Sequence, residues 1–414
     1  MLRILDSGDV GKLLRRRAAR LDAAEKAVRP ILESVRRRGD KAVLEYARKF
    51  DGLEADSPRV APETMHAAWR GLPAELKAAV RAASANIRAY AKFQLPEPKR
   101  VSPAAGLKLS QIVRPLDCVA AYIPSGRYPL PSTLMMTAIP ARVAGVPLVC
   151  AASPRPAAAI LGTAAFLNID RVYQIGGAHA IAAFAYGTRS IPRADRIVGP
   201  GSIWVAAAKK LLAGEVGIDF IAGPTEILIV ADDGNPKWIA ADMLAQAEHD
   251  ADASAVLLTK SRKLAEAVAA EVTRQLATLP TAPVARKAIA RNSAAVLVRT
   301  SEEAVSLVNR FAPEHLSLHD PRLLGGIRHA GSVFLGPMSP EAAGDYASGP
   351  NHVLPTSGAA RLRGGLSSAD YVKVISVQQI SKTALERLSP AIRALARAEG
   401  LEAHARSVEV RCGF

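Results

Sequence analysis

The chain is poor in several features that would place it outside the cell, in a membrane or on nucleic acid. It has three cysteines in 414 residues, Cys118, Cys150 and Cys412, scattered and without a C-x-x-C pair. That excludes a disulfide scaffold and reads as reduced thiols in a cytoplasmic protein. No apolar run approaches the ~18 residues of a spanning helix, so no membrane partner is expected. The first residues, Met1 to Gly11, lack the apolar core of a secretory signal. Aromatic residues make up 5%, too few for a base-stacking surface. Glycine-rich turns occur, but none has the G-x-G-x-x-G dinucleotide spacing.

Hydrophobic residues at 49% and charged residues at 22% can build a sizeable core. The length allows two to four domains. The formal net charge of +16 is the unusual number, and by itself it invites nucleic acid. The charge is regional, however. Residues 1–50 carry a net +7 and residues 81–114 a net +6, whereas residues 201–260 carry a net −5. Arg15-Arg16-Arg17 and Arg36-Arg37-Arg38 fall in helical patterns with apolar partners and read as solvated faces. No nucleic-acid partner is expected.

Residues 1–95 read as helices, with a break at Gly39-Asp40 and a stop at Asp51-Gly52. From 112 onward, short β-branched runs alternate with helical stretches. Strands are expected at 117–123, 146–150, 171–175, 195–198 and 227–231, with helices at 131–144, 156–167, 178–186 and 202–213. A second series follows: helix 236–248, strand 254–259, helix 261–277, strand 295–298, helix 301–310 and strand 332–336. Such alternation means βαβ units. The fold class is α/β, with two Rossmann-like parallel-sheet domains plus small N-terminal and C-terminal helical segments. The tail from about 367 reads as helix ending in a short strand at 408–411.

Four motifs can carry chemistry. Gln246 and His249, at i and i+3 near the end of an amphipathic helix, can share a metal. Glu314 and His315 follow the helix-breaking Pro313. As adjacent residues they point apart, which suits two separate proton carriers rather than one dyad. Gly344-Asp345 to Pro355 is a glycine- and proline-fixed loop presenting Asp345 and His352; Asp345 is either a metal ligand or a helix cap. Glu399 and His404 lie in the tail. Three strand–glycine–helix turns, at Tyr122–Pro129, Gly176–His179 and Gly199–Ser202, can receive phosphate on backbone N–H groups.

Together these blocks, among them LAQAEHDADASAVLLT, FAPEHLSL, GDYASGPNHVLPT and EGLEAH, resemble the histidinol dehydrogenase family over essentially the whole chain. The resemblance implies oxidation of L-histidinol to L-histidine through L-histidinaldehyde, with two NAD+ and one zinc ion (Zn2+) per subunit. It implies Gln246, His249, Asp345 and His404 as metal ligands, and His315 and Glu314 as the catalytic bases. Thr225, His352 and Glu399 join these as substrate contacts, and Tyr122, His179 and Ser202 contact the cofactor. It also implies a homodimer in which the tail, with Glu399 and His404, completes the neighbour's site. The implied division is 1–16, a helical segment; 17–121 with 227–366, carrying the metal and catalytic motifs; 122–226, the cofactor domain; and 367–414, the tail. His179 stands where the family has glutamine, Ser202 where it has asparagine, Thr225 where many members have serine, and Ser125 where a second glycine is usual. With Arg127, His179 leaves a 2′-phosphorylated cofactor open as an alternative. A related zinc- and NAD-dependent dehydrogenase for another small polyol or amino alcohol is the alternative activity.

Overall fold

A computed structural model describes residues 2–413, apart from 12, 14–20, 126, 127 and 222. The Arg15–Arg17 run and Arg127 lie outside the described residues. Two parallel sheets carry the architecture. The first has five strands: β4 (Cys118–Tyr122), β5 (Leu148–Ala152), β6 (Arg171–Tyr173), β7 (Arg196–Val198) and β8 (Gly217–Ile218), in the order β6-β5-β4-β7-β8. The second has six: β1 (Arg3–Asp6), β9 (Glu226–Val230), β10 (Ser254–Thr259), β11 (Ala294–Leu297), β12 (His315–Leu318) and β13 (Ser332–Leu335), in the order β1-β11-β10-β9-β12-β13. Set β1 aside, and both sheets reverse direction beside their first strand in the same way. Every residue of β4 and of β9 is buried, as expected for strands covered by helices on both faces.

Three parts of the sequence reading are corrected. Residues 3–6 are not helical: β1 pairs in parallel with β11, Ile4 beside Ala295 and Leu5 beside Val296. A four-residue edge strand is too short to show a period of its own. The stretch from 367 is not simply helix either. Val372–Ile380 forms β14, which pairs antiparallel with β3 (Leu107–Pro115), and β3 pairs with β2 (Lys99–Ala104) in a separate three-stranded sheet. The β-branched residues Val372, Val374, Ile375 and Val377 favour that conformation. Finally, Val408–Arg411 is helical, within the helix Glu402–Cys412. The breaks at Gly39 (φ 53°) and Gly52 (φ 66°) stand where they were expected. Arg36, Arg37 and Arg38 are exposed at the end of the helix Asp22–Arg38.

One buried ion pair ties the first sheet together. Lys209, on the helix Ile203–Leu212, pairs with Asp219 just past β8, and both side chains are almost fully buried. Its ammonium also donates to Gly199 O at 3.0 Å, while Asp219 Oδ2 accepts from Gly199 N at 2.7 Å. Removing one partner leaves an uncompensated charge in a dry interior. Lys209→Met should therefore cost about 3–5 kcal/mol of stability, read as a lowered urea midpoint. An unchanged midpoint would contradict a structural role for the pair.

Candidate active site

The site lies where β9 and β12 begin. Ligands of open α/β sheets usually sit at the carboxyl ends of the strands, at the switch in strand order. The first sheet obeys this rule: Tyr122 ends β4, and Gly176 and Gly199 follow β6 and β7. In the second sheet the chemistry sits at the opposite edge. Thr225 precedes β9, and Glu314 and His315 open β12.

The backbone ahead of that pair is unusual. The helix Ser301–Phe311 ends on Ala312, a non-glycine residue at φ 47°. Strained residues of this kind cluster at functional positions. Pro313 then prevents the helix from continuing. Glu314 and His315 are both buried, with His315 Nδ1 3.8 Å from Glu314 Oε2, too far for a hydrogen bond. They are two groups, as adjacency implied. Glu314 Oε2 accepts from the Thr225 hydroxyl at 2.5 Å and from Glu226 N at 3.0 Å. Burial nevertheless pushes the Glu314 carboxyl well above the ordinary range, and those hydrogen bonds only partly oppose it.

His315 Nδ1 lies 3.3 Å from the Glu226 carbonyl and 3.1 Å from the Gln246 amide atom that faces Glu341. The carbonyl favours a proton on Nδ1, with the lone pair then on Nε2. Nε2 is buried and has no hydrogen-bond partner among the described residues. Burial holds the imidazole neutral by lowering its pKa to about 3. An unprotonated, unpartnered nitrogen in a pocket is free to accept a proton from a bound substrate.

Around this nitrogen stand the proposed ligands. Asp345 Oδ1 lies 3.7 Å from His315 Nε2, and Asp345 Oδ2 lies 3.9 Å from His249 Nε2. Asp345 belongs to a short helix, Glu341–Tyr346, and not to an irregular loop. Gly344 lets that helix approach β13, because a Cβ there would sit 2.6 Å from the Phe334 ring. His249 is also displaced from expectation. The helix Pro236–Ala247 stops two residues earlier, so His249 occupies the following turn and is partly exposed.

The sequence reading missed Glu341. It is buried, and one ligand atom each from His249, Glu341 and Asp345 lies within 4.8 Å of the others. Its Oε1 is 3.5 Å from His315 Nδ1. One atom of the buried Gln246 amide lies 2.6 Å from Thr225 Oγ1; the other lies 2.7 and 3.0 Å from the Glu341 oxygens. Burial raises Glu341 well above the carboxylate range, and the nearby Asp345 and Glu314 charges add to it. Burial raises Asp345 to about 6. The signal was present in sequence: Glu341 lies one turn before Asp345, on the same helix face.

His352 joins the two halves of the molecule. Its Nδ1–H donates to Asp345 O at 2.8 Å, and its Nε2 faces Thr133 Oγ1 at 3.3 Å, on the helix Pro131–Val143 beside the first sheet. Burial lowers its pKa to about 4. Glu399 and His404 are exposed in the tail and do not join this cluster within one chain. Tyr122 is buried, and its hydroxyl accepts from Gly177 N at 3.2 Å. Ser202 is exposed ahead of the helix Ile203–Leu212. His179 is buried and turned toward Asp51 at 2.8 Å.

The chain is similar to known proteins over nearly its whole length. The family model for histidinol dehydrogenase matches residues 14–412. The histidinol dehydrogenase of Geobacillus kaustophilus (strain HTA426) is 48% identical over 395 residues, covering 93% of this chain and 93% of its own. A second, from Synechococcus sp. (strain ATCC 27144 / PCC 6301 / SAUG 1402/1), is 47% identical over 400 residues, covering 94% and 92%. The crystal structure of histidinol dehydrogenase from Elizabethkingia anophelis superposes with a TM-score of 0.95 at 35% identity, covering 99% of this chain and 98% of that one. An acetylating aldehyde dehydrogenase from Geobacillus thermoglucosidasius shares the fold alone, with a TM-score of 0.51 at 12% identity over 89% of this chain and 96% of that one. This chain belongs to the histidinol dehydrogenase family.

Proposed function

We propose that the chain oxidises L-histidinol to L-histidine through L-histidinaldehyde with two NAD+, in the last steps of histidine biosynthesis. The observation that carries this reading is the buried, unpartnered Nε2 of His315, set 3.7 Å from Asp345 and beside the cluster of His249, Glu341 and Asp345. The donor set suits zinc, which accepts imidazole nitrogen and carboxylate or amide oxygen. Gln246, His249 and Asp345 would hold it, and Glu341 lines the same space.

When bound, zinc would anchor the polar groups of the substrate and fix its alcohol carbon in hydride range of the nicotinamide. NAD+ would accept one hydride in each oxidation. His315 Nε2 takes the hydroxyl proton in the first oxidation. Glu314, oriented by Thr225 and the Glu226 amide, takes a proton from the water that adds to the aldehyde. His352 holds the Asp345 segment against the cofactor half. Three carboxyl groups favour a cationic amino alcohol in this pocket.

The tail belongs to the same reading. Every residue from Lys373 to Ile380 of β14 is exposed, and so is all of β2. A small sheet this open is marginal by itself. A homodimer would cover it and bring Glu399 and His404 to the neighbour's cluster. Tyr122, His179 and Ser202 would line the cofactor side. The division changes near its start: residues 3–6 are a strand of the second sheet, and the helices between 22 and 93 pack with the first. Reduced cysteines support a cytoplasmic enzyme.

Purified protein given zinc, NAD+ and L-histidinol should form NADH; none formed would contradict the activity. His249→Asn should lose bound metal by elemental analysis and activity together, by about 100-fold or more. Full metal content in that variant would remove His249 from the ligand set. Glu314→Gln should slow oxidation of L-histidinaldehyde by about 100-fold or more while sparing the first hydride transfer. Equal losses in both half-reactions would contradict the role of Glu314. Finally, inactive His249→Asn and His404→Asn chains, unfolded and refolded together, should recover about a quarter of wild-type activity, because half the dimers then hold one intact site. No recovery would contradict the shared tail.

A further inference from the structure

The glycine turn after β6 is held by a side chain far away in sequence. Asp51 ends a single π-helical turn, Ala47–Asp51, which Gly52 closes in the left-handed region. Turns of this type recur at functional positions because the extra residue redirects a side chain. Here Asp51 is turned into the body of the protein. Its Oδ2 accepts from Gly176 N at 2.8 Å and meets His179 Nε2 at the same distance. Both side chains are more than nine-tenths buried.

The next residue of the turn is held from the other side. Gly177, at φ 55°, donates its N–H to the Tyr122 hydroxyl. Two successive backbone amides at the head of the helix Gly177–Tyr186 are thus fixed by two side chains, one a buried carboxylate. The turn has no slack: a Cβ on Gly176 would fall 2.5 Å from Pro154 Cβ. The second glycine turn uses the same device. Asp219 accepts from Gly199 N, and Lys209 on the following helix neutralises it. In each turn a carboxylate takes the first glycine amide, and a basic group on the next helix satisfies that carboxylate.

We propose that Asp51 and His179 are positioning residues for the dinucleotide. The pair presets the Gly176–Gly177 turn and the Tyr122 hydroxyl, and His179 acts through Asp51 instead of touching the cofactor. This rests on the reading above that Tyr122 borders the cofactor. In Asp51→Leu, no acceptor remains for either donor, because Gly176 N and His179 Nε2 both meet the same oxygen, Oδ2. In His179→Gln, an amide N–H can still reach Asp51. His179→Leu has no donor left.

The test measures NAD+ affinity by calorimetry on the zinc-loaded wild type and variants, alongside KM for each substrate and metal content. Asp51→Leu and His179→Leu should each weaken NAD+ by about tenfold, and the double variant should be no worse than either, because the two act as one pair. His179→Gln should stay within about threefold of wild type. KM for L-histidinol and zinc content should not move, whereas general loosening of the protein would move both. Folded Asp51→Leu with wild-type NAD+ affinity overturns the proposal, as do additive losses in the double variant. A wild type that binds no NAD+ overturns the cofactor reading instead. Should a variant not fold, hydrogen exchange on the wild type decides: peptide 174–180 should be protected before NAD+ is added, and free exchange there contradicts a preset turn.

Discussion

Three carboxyl groups and an imidazole, those of Glu314, Glu341, Asp345 and His315, share one pocket with little access to water. Desolvation opposes charge on every one of them, and the carboxylates repel one another. Such a cluster is costly to assemble and is kept only where the rest of the structure over-determines it. Most of the surrounding contacts serve that end. Thr225 and the Glu226 amide hold Glu314, the Glu226 carbonyl and the Gln246 amide face His315 Nδ1, and Gln246 also lies against Glu341. A cation offsets the repulsion, which is why one pocket suits both a metal and an amino alcohol.

The location of this pocket follows from the sheets. Both reverse strand order at equivalent places, yet they use opposite edges. The carboxyl edge of the first presents Tyr122 and the glycine turns, and the amino edge of the second presents Thr225, Glu314 and His315. The link from Thr133 through His352 to Asp345 couples a helix of the first half to the metal-side helix of the second. On the proposed reading, a dinucleotide on one edge and a substrate on the other would meet between the halves, as two successive hydride transfers at one carbon require.

Much of this was legible in the residues. The alternation of β-branched runs and helices gave both sheets, because strands buried on both faces read as continuous apolar segments. β1 was not legible, because four residues have no measurable period and its pairing partner β11 is 291 residues away. β14 was hidden by the strongly helical residues after it. At the site, Glu314, His315, Gln246 and Asp345 stood out by motif. Glu341 did not, because a lone glutamate is ordinary until the fold buries it. His179 stood out for the wrong neighbour: no sequence spacing links it to Asp51, 128 positions earlier. The charge of +16 concentrates in residues 1–50 and 81–114, apart in sequence from a metal motif that is locally acidic.

The central claim is that one pocket performs both oxidations without releasing the aldehyde. A single-turnover reaction of L-histidinol with excess enzyme and NAD+, run with an aldehyde-trapping hydrazine in solution, tests it most directly. The account predicts two NADH and one L-histidine per L-histidinol, with no trapped aldehyde. One NADH per L-histidinol, with the aldehyde recovered as its hydrazone, would contradict it.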